Sequence, residues 1–125
     1  MTRLEPYAAY LCRELALSQT QQHLLRMLVL VGPIYERARA NGGPALEKMR
    51  KDEELRSLMP SLEGLAERFD GNGPSGVAGV KIPILSRALA VLLAIDNPGA
   101  KEIESDPGRF DPEIVSMAAE YDAAA

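Results

Sequence analysis

The sequence predicts an all-α fold in a single domain, and three observations carry that reading. Ala, Leu and Met supply most of the apolar content, while Trp is absent and Phe occurs twice. Such residues favour helices over strands. Apolar positions recur in steps of three and four, and no alternating run of useful length interrupts them. Finally, residues 82–95 (IPILSRALAVLLAI) form the most apolar stretch, broken only by Ser86 and Arg87. This stretch is shorter than the roughly 20 residues that cross a bilayer. It suits a central helix wrapped by others. The expected architecture is five or six helices packed as a bundle or irregular array around 82–95. One domain spans 1–125, a length that supports one real core.

Residues 6–17 open the structure. Pro6 fits the first helical position, where a missing N–H costs nothing. Tyr7, Leu11 and Leu15 form an apolar stripe with Ala8 and Cys12 beside it. Ser18 or Thr20 then caps a second helix. Its seam reads Leu24, Leu28, Val31, Tyr35 and Ala38, a heptad-like spacing that faces one or two partner helices. Leu25, Val29 and Leu30 widen it, so the first half is expected to be nearly buried all round. Gly32-Pro33 falls inside this pattern. Because the period survives the proline, a kink is expected rather than a stop.

Asn41-Gly42-Gly43 ends that helix as a cap and turn. Pro44 starts a third, expected over 44–59, with Leu46, Met49, Leu55, Leu58 and Met59 inward. Glu47 precedes Lys51 by four, and Arg50 precedes Glu54 by four, the spacing of surface ion pairs. This helix is expected to be the outermost. Leu62, Leu65, Ala66 and Phe69 continue the period beyond Pro60, as one kinked helix or two. Residues 70–81 (DGNGPSGVAGVK) are the clearest loop, with four glycines and a proline. Asp96-Asn97-Pro98-Gly99 ends the apolar helix, and 96–111 reads as an irregular acidic segment. Asp111-Pro112-Glu113 is a strong helix start. The last helix buries Ile114, Met117, Ala118 and Tyr121, and Ala123 to Ala125 are expected to fray.

Net charge is −4 and the pI is about 5, which argues against nucleic acid or an anionic membrane as partner. Residues 101–125 carry seven acids (Glu102, Glu104, Asp106, Asp111, Glu113, Glu120, Asp122) against Lys101 and Arg109. A solvated face is expected there, although a basic partner would also match it. Cys12 is the single cysteine, so no disulfide forms within the chain, which fits a reducing compartment. The first residues, MTRLEPYAAY, lack the pattern of a signal peptide. A cytoplasmic location is expected.

The candidate sites are few. Gly71, Gly73 and Gly76 formally match G-x-G-x-x-G, but a helix precedes them and no βαβ unit surrounds them. Gly73, Ser75 and Gly76, followed by a helix start near Lys81, form a candidate anion site. The alternative is a plain connector. His23 is the only histidine, so a metal site built from several histidines is excluded. His23-Leu24-Leu25-Arg26 resembles the start of the H-x-x-(Lys/Arg)-Gly motif of histidine phosphotransfer domains. Met27 stands where that family has Gly, and the resemblance covers four residues. Residues 62–91 resemble a degraded helix-turn-helix, with LEGLAERF as first helix and ILSRALAVL as reader. The connection is too long, and Arg87 is the reader's only base.

Arg87 is the one charge inside the apolar run. It either snorkels to solvent, pairs with a C-terminal acid, or marks a partner-binding face with Lys81, Val91 and Ala94. No cofactor pattern is present. The expected function is a non-catalytic interaction or regulatory module that binds a protein or a second copy of itself. Two alternatives are a degenerate helix-turn-helix regulator and a helical bundle holding a small molecule or a reaction.

Overall fold

A computed structural model describes residues 4–96 and 101–124. Among them the fold is all-α, with no strand. The helices are α1 (Glu5–Glu14), α2 (Gln19–Asn41), α3 (Pro44–Lys51), α4 (Met59–Glu63), α5 (Ile84–Asp96), α6 (Lys101–Ser105) and α7 (Pro112–Ala124). Short 3₁₀ turns cover Glu53–Leu55, Gly64–Ala66, Gly79–Lys81 and Pro107–Arg109.

Helix α5 is the hub, as its composition predicts. It packs against α1, α2, α4, α6 and α7. Leu85, Ala88, Leu89, Val91, Leu92, Ala94 and Ile95 are all buried. Each large aliphatic side chain among them contributes about 1.5–3 kcal/mol by leaving water. The partner that lies along it most is α2, and Gly32 of α2 stands directly against it. A Cβ at Gly32 would stand 3.3 Å from Leu93 and 3.6 Å from Leu89. A second close approach is made at Gly64, where a Cβ would overlap Ser86 Oγ at 2.2 Å. The buried Ser86 hydroxyl donates to the Ser61 carbonyl at 2.7 Å, so its polar atom is satisfied.

Helix ends follow local chemistry. Ser18 caps α2 in a reciprocal box: its Oγ accepts from the Gln21 N–H at 3.1 Å, and Gln21 Oε1 accepts from the Ser18 N–H at 2.9 Å. Gly42 (φ 66°) ends α2 in the left-handed region. α1 ends in the same way without a glycine. Ala16 takes φ 52°, while Leu17 N–H reaches the Cys12 carbonyl at 3.0 Å and Ala16 N–H reaches that of Arg13 at 3.1 Å. That is the paired closure of a Schellman motif.

Several expectations need correction. α2 does run unbroken through Pro33, but its inward face is Leu25, Leu28, Val29, Gly32, Tyr35 and Ala38. Leu24 and Val31 are only half-buried, and Leu30 is exposed. The expected helix over 44–59 stops at Lys51. Asp52 turns extended and its carboxylate accepts from the Glu54 N–H at 2.8 Å, which starts a new turn. The break separates Arg50 from Glu54, and the pairs that form are Arg50–Glu47 and Arg56–Glu53. Leu58 and Met59 are buried, while Leu46, Met49 and Leu55 are half-buried. Pro60 sits in the first turn of a separate helix, α4. Met117 and Tyr121 are half-buried rather than core. The helix expected at 82 begins at Ile84. Segment 96–111 is partly regular, holding α6 and a 3₁₀ turn. Asn97-Pro98-Gly99 and Ala125 lie outside the described residues.

Candidate functional site

Arg87 does not reach for solvent. It is mostly buried at the start of α5, where its Nε donates to the Ile82 carbonyl at 2.9 Å and its Nη1 to Asp111 Oδ2 at 2.8 Å. Asp111 is buried as well. Its other oxygen caps α7 by accepting from the Glu113 N–H at 2.9 Å. One guanidinium therefore ties the loop exit, the start of α5 and the start of α7. Of the three readings of Arg87, pairing with a C-terminal acid is the one the structure shows.

The rest of the acidic segment is largely paired too. Arg68 grips Asp106 through two 2.7 Å bonds and Asp70 through two more, and Arg109 bonds Glu102. The Arg68 hydrogen bonds hold both Asp70 and Asp106 below the usual carboxylate value. Arg109 is also shifted down, but for the opposite reason: burial disfavours its charged form, and Glu36 partly offsets this. On α7, Tyr7 bonds Asp122 and Tyr10 reaches Glu120 at 3.5 Å, with both rings against Tyr121. The expected solvated face is thus stitched inward at five of its acids.

The candidate anion site is claimed from within the chain. The Ser75 N–H donates to the Glu67 carboxylate at 3.2 and 3.3 Å. Gly73 packs over the same residue, so closely that a Cβ would meet Glu67 Cα at 2.8 Å. Gly76 N–H bonds the Gly73 carbonyl at 3.2 Å. Two further bonds, Phe69 N–H to Arg109 O and Asp70 N–H to Gly108 O, fasten the loop to the acidic segment. The loop's anion is its own Glu67.

The proposed partner face dissolves in the same way. Val91 and Ala94 are core residues, buried within the chain, and offer no partner surface. Lys81 is exposed at the end of a 3₁₀ turn, apart from them. Burial also leaves α5 no free face with which to enter a nucleic-acid groove. The space beside Arg87 is about 10 Å³, room for one water. A larger hollow of about 500 Å³ lies between α2, α5 and α6. Its charges include the Glu36–Arg39 and Glu102–Arg109 pairs. Among the described residues no group of three or more His, Cys, Asp or Glu is placed to hold a metal. No helix there is long and apolar enough to cross a membrane.

What remains is the outer face of α2. Leu30 is 62 % exposed and Ile34 52 %, in the middle of the longest helix. Met27 lies beside them, half-buried. At positions i, i+3 and i+7 the three share one side. A groove flanks each end of this stripe. The first, about 580 Å³, runs between α1 and α2 with Glu5, Ala9, His23, Arg26, Met27 and Leu30 among its walls. The buried Cys12 also lines it, its thiol pushed up by desolvation. The second, about 470 Å³, runs between α2 and α3, with Ile34, Arg37, Lys48, Met49 and Asp52.

No family model, curated protein or solved structure matches the chain. The α2 stripe was nonetheless readable. His23, Met27, Leu30, Ile34, Arg37 and Asn41 follow steps of four and three, parallel to the line of Leu24, Leu28, Val31, Tyr35 and Ala38. Only the position of α5 decides which line faces inward.

Proposed function

We propose that this chain is a non-catalytic helical interaction module whose working surface is the outer face of α2. One observation carries the reading: two large aliphatic side chains, Leu30 and Ile34, stand side by side in solvent on a helix whose opposite face is core. The grooves at both ends extend that surface. A helix partner fits such a ridge flanked by hollows. The ionic groups support the non-catalytic part, since Arg68, Arg87 and Arg109 are each bonded to acids that fasten one segment to another.

The test is a photoreactive amino acid placed at position 34 in cells producing the protein. Val80 is the control, since it is 78 % exposed but sits alone in a 3₁₀ turn. Covalent adducts are expected from position 34 and not from position 80. Equal labelling at both, or none at 34, overturns the reading.

A further inference from the structure

We infer that Asn72 is a self-modifying site: its side-chain carboxamide closes on the backbone nitrogen of Gly73 and is then opened by water to aspartate or isoaspartate. The Gly73 nitrogen attacks Asn72 Cγ and loses its proton. The carboxamide nitrogen takes up a proton and leaves as ammonia, and a five-membered succinimide ring remains. Water then adds to one of the two ring carbonyls and breaks its bond to nitrogen. Opening at the side-chain carbonyl gives aspartate. Opening at the backbone carbonyl gives isoaspartate, in which the chain runs through the former side chain. One water is consumed and one ammonia released, and no other reagent is needed.

The fold selects this position. The chain has three asparagines, and glycine, whose missing Cβ leaves its nitrogen open to approach, follows two of them. Pro98 follows the third, Asn97, and has no N–H to give up. Asn41 is the last residue of α2, and the Gly42 N–H behind it is bonded to the Ala38 carbonyl at 2.9 Å. That nitrogen is held by the helix. Asp70-Gly71 would close to the same ring only from the neutral acid. Arg68 keeps the Asp70 carboxyl ionised, below its usual value, and the Gly71 N–H donates to the Arg68 carbonyl at 2.9 Å. Asn72 is exposed in the turn beyond, outside any helix. Its backbone N–H donates to Asp70 Oδ1 at 3.0 Å, and its side-chain amide donates to the same carboxylate. The Gly73 N–H donates to no acceptor among the described residues. Of the two Asn-Gly nitrogens, one is engaged and one is open.

The products do not fit the loop as it stands. Isoaspartate adds one backbone carbon between residues 72 and 73, where the chain has no slack. A Cβ on Gly73 would already meet Glu67 Cα at 2.8 Å, and the Ser75 N–H donates to the Glu67 carboxylate at 3.2 and 3.3 Å. Both products also turn a side-chain donor to Asp70 into a second carboxylate beside it. Conversion therefore undoes the clasp on Glu67 and opens loop 70–81, in one direction only, as the chain ages.

The test is to age the purified full chain at mildly alkaline pH in water enriched in oxygen-18, folded and, in parallel, in urea, and to follow both Asn-Gly sites by peptide mapping. In the folded chain, conversion at Asn72 with uptake of one heavy oxygen is expected to run at least about tenfold ahead of conversion at Asn41, where attack waits for α2 to fray. In urea the two rates are expected to converge. Asn72→Gln, whose longer side chain would have to close a larger ring, is expected to stay intact and to keep the fold by circular dichroism. Aged protein, separated by its added negative charge, is expected to be cut within 70–81 by a broad-specificity protease faster than fresh protein or aged Asn72→Gln. An unconverted Asn72 in the folded chain, equal conversion of Asn41 and Asn72 there, or conversion without the heavy oxygen overturns the site. Aged protein cut no faster than fresh protein overturns the opening of the loop.

Discussion

Around Arg87 and Arg68, charged side chains from distant parts of the chain meet and neutralise one another; along the outer face of α2, apolar side chains that sit close in sequence point into water. The first region joins residues 68, 70, 87, 106 and 111 through side-chain bonds that span up to 38 positions. The second is a single helix face. The contrast bears on where a working surface lies. The acidic segment, with its surplus of negative charge, invites a docking role in one dimension and turns out to be fastened to arginines of its own chain. The apolar stretch of α2 invites a core role, and part of it is left outside. A feature is free for a partner only after the chain's own demands on it are met.

The sharpest way to break the first region is Arg87→Met. It leaves the Asp111 carboxylate buried without its cation, and removing one partner of a buried pair costs about 3–5 kcal/mol. Adding Asp111→Ser removes the stranded charge and keeps an oxygen to cap the Glu113 N–H. The double variant is expected to be more stable than Arg87→Met alone, by urea midpoint. A double variant less stable than the single would show that Arg87 acts through packing along α5 and not through the pair.

Arg68 gives a smaller effect with a pH signature. Its hydrogen bonds depress Asp70 and Asp106 below their ordinary value of 3.8. A depressed carboxyl stabilises the fold fully above that value, and the contribution is lost as pH falls through the lower value of the folded state. The melting temperature is therefore expected to fall more steeply below about pH 4 in the wild type than in Arg68→Met. Because these groups are solvent-accessible, salt should shrink the difference. Identical acid profiles for the two proteins would remove the ionic account of this junction.

Elements set by near neighbours were legible in the sequence. The Ser18 cap, the Gly42 stop and the Asp111-Pro112 start depend on residues within one turn, and they stand where the pattern puts them. The continuity of α2 through Pro33 was legible because the apolar period never lapses. Asp52 was missed because a charged residue in an amphipathic run looks like helix surface, yet its carboxylate competes for the Glu54 N–H. The pairing of Arg87 was legible only as one option among three. Choosing Asp111 needs the packing of α7 against α5, which no local pattern encodes. The same gap misplaced α2's inner face. Two interleaved lines, Leu24-Leu28-Val31 and Met27-Leu30-Ile34, have equal periodicity, and the true core line through Leu25, Leu28 and Gly32 lies between the demands of α5 and α1.

Two substitutions five residues apart turn that misplacement into a measurement, and the smaller effect is the more telling. Leu25 is fully buried, and Leu25→Ala should cost about 2–5 kcal/mol through lost burial and the cavity left behind. Leu30→Lys should change the stability of the single chain by no more than about 0.5 kcal/mol, because a side chain 62 % exposed has little burial to lose. Had the inner face been Leu24-Val31 with Leu30 widening it, the lysine would have been ruinous. A large loss of stability at dilution would return Leu30 to the core and leave α2 without an outer working face.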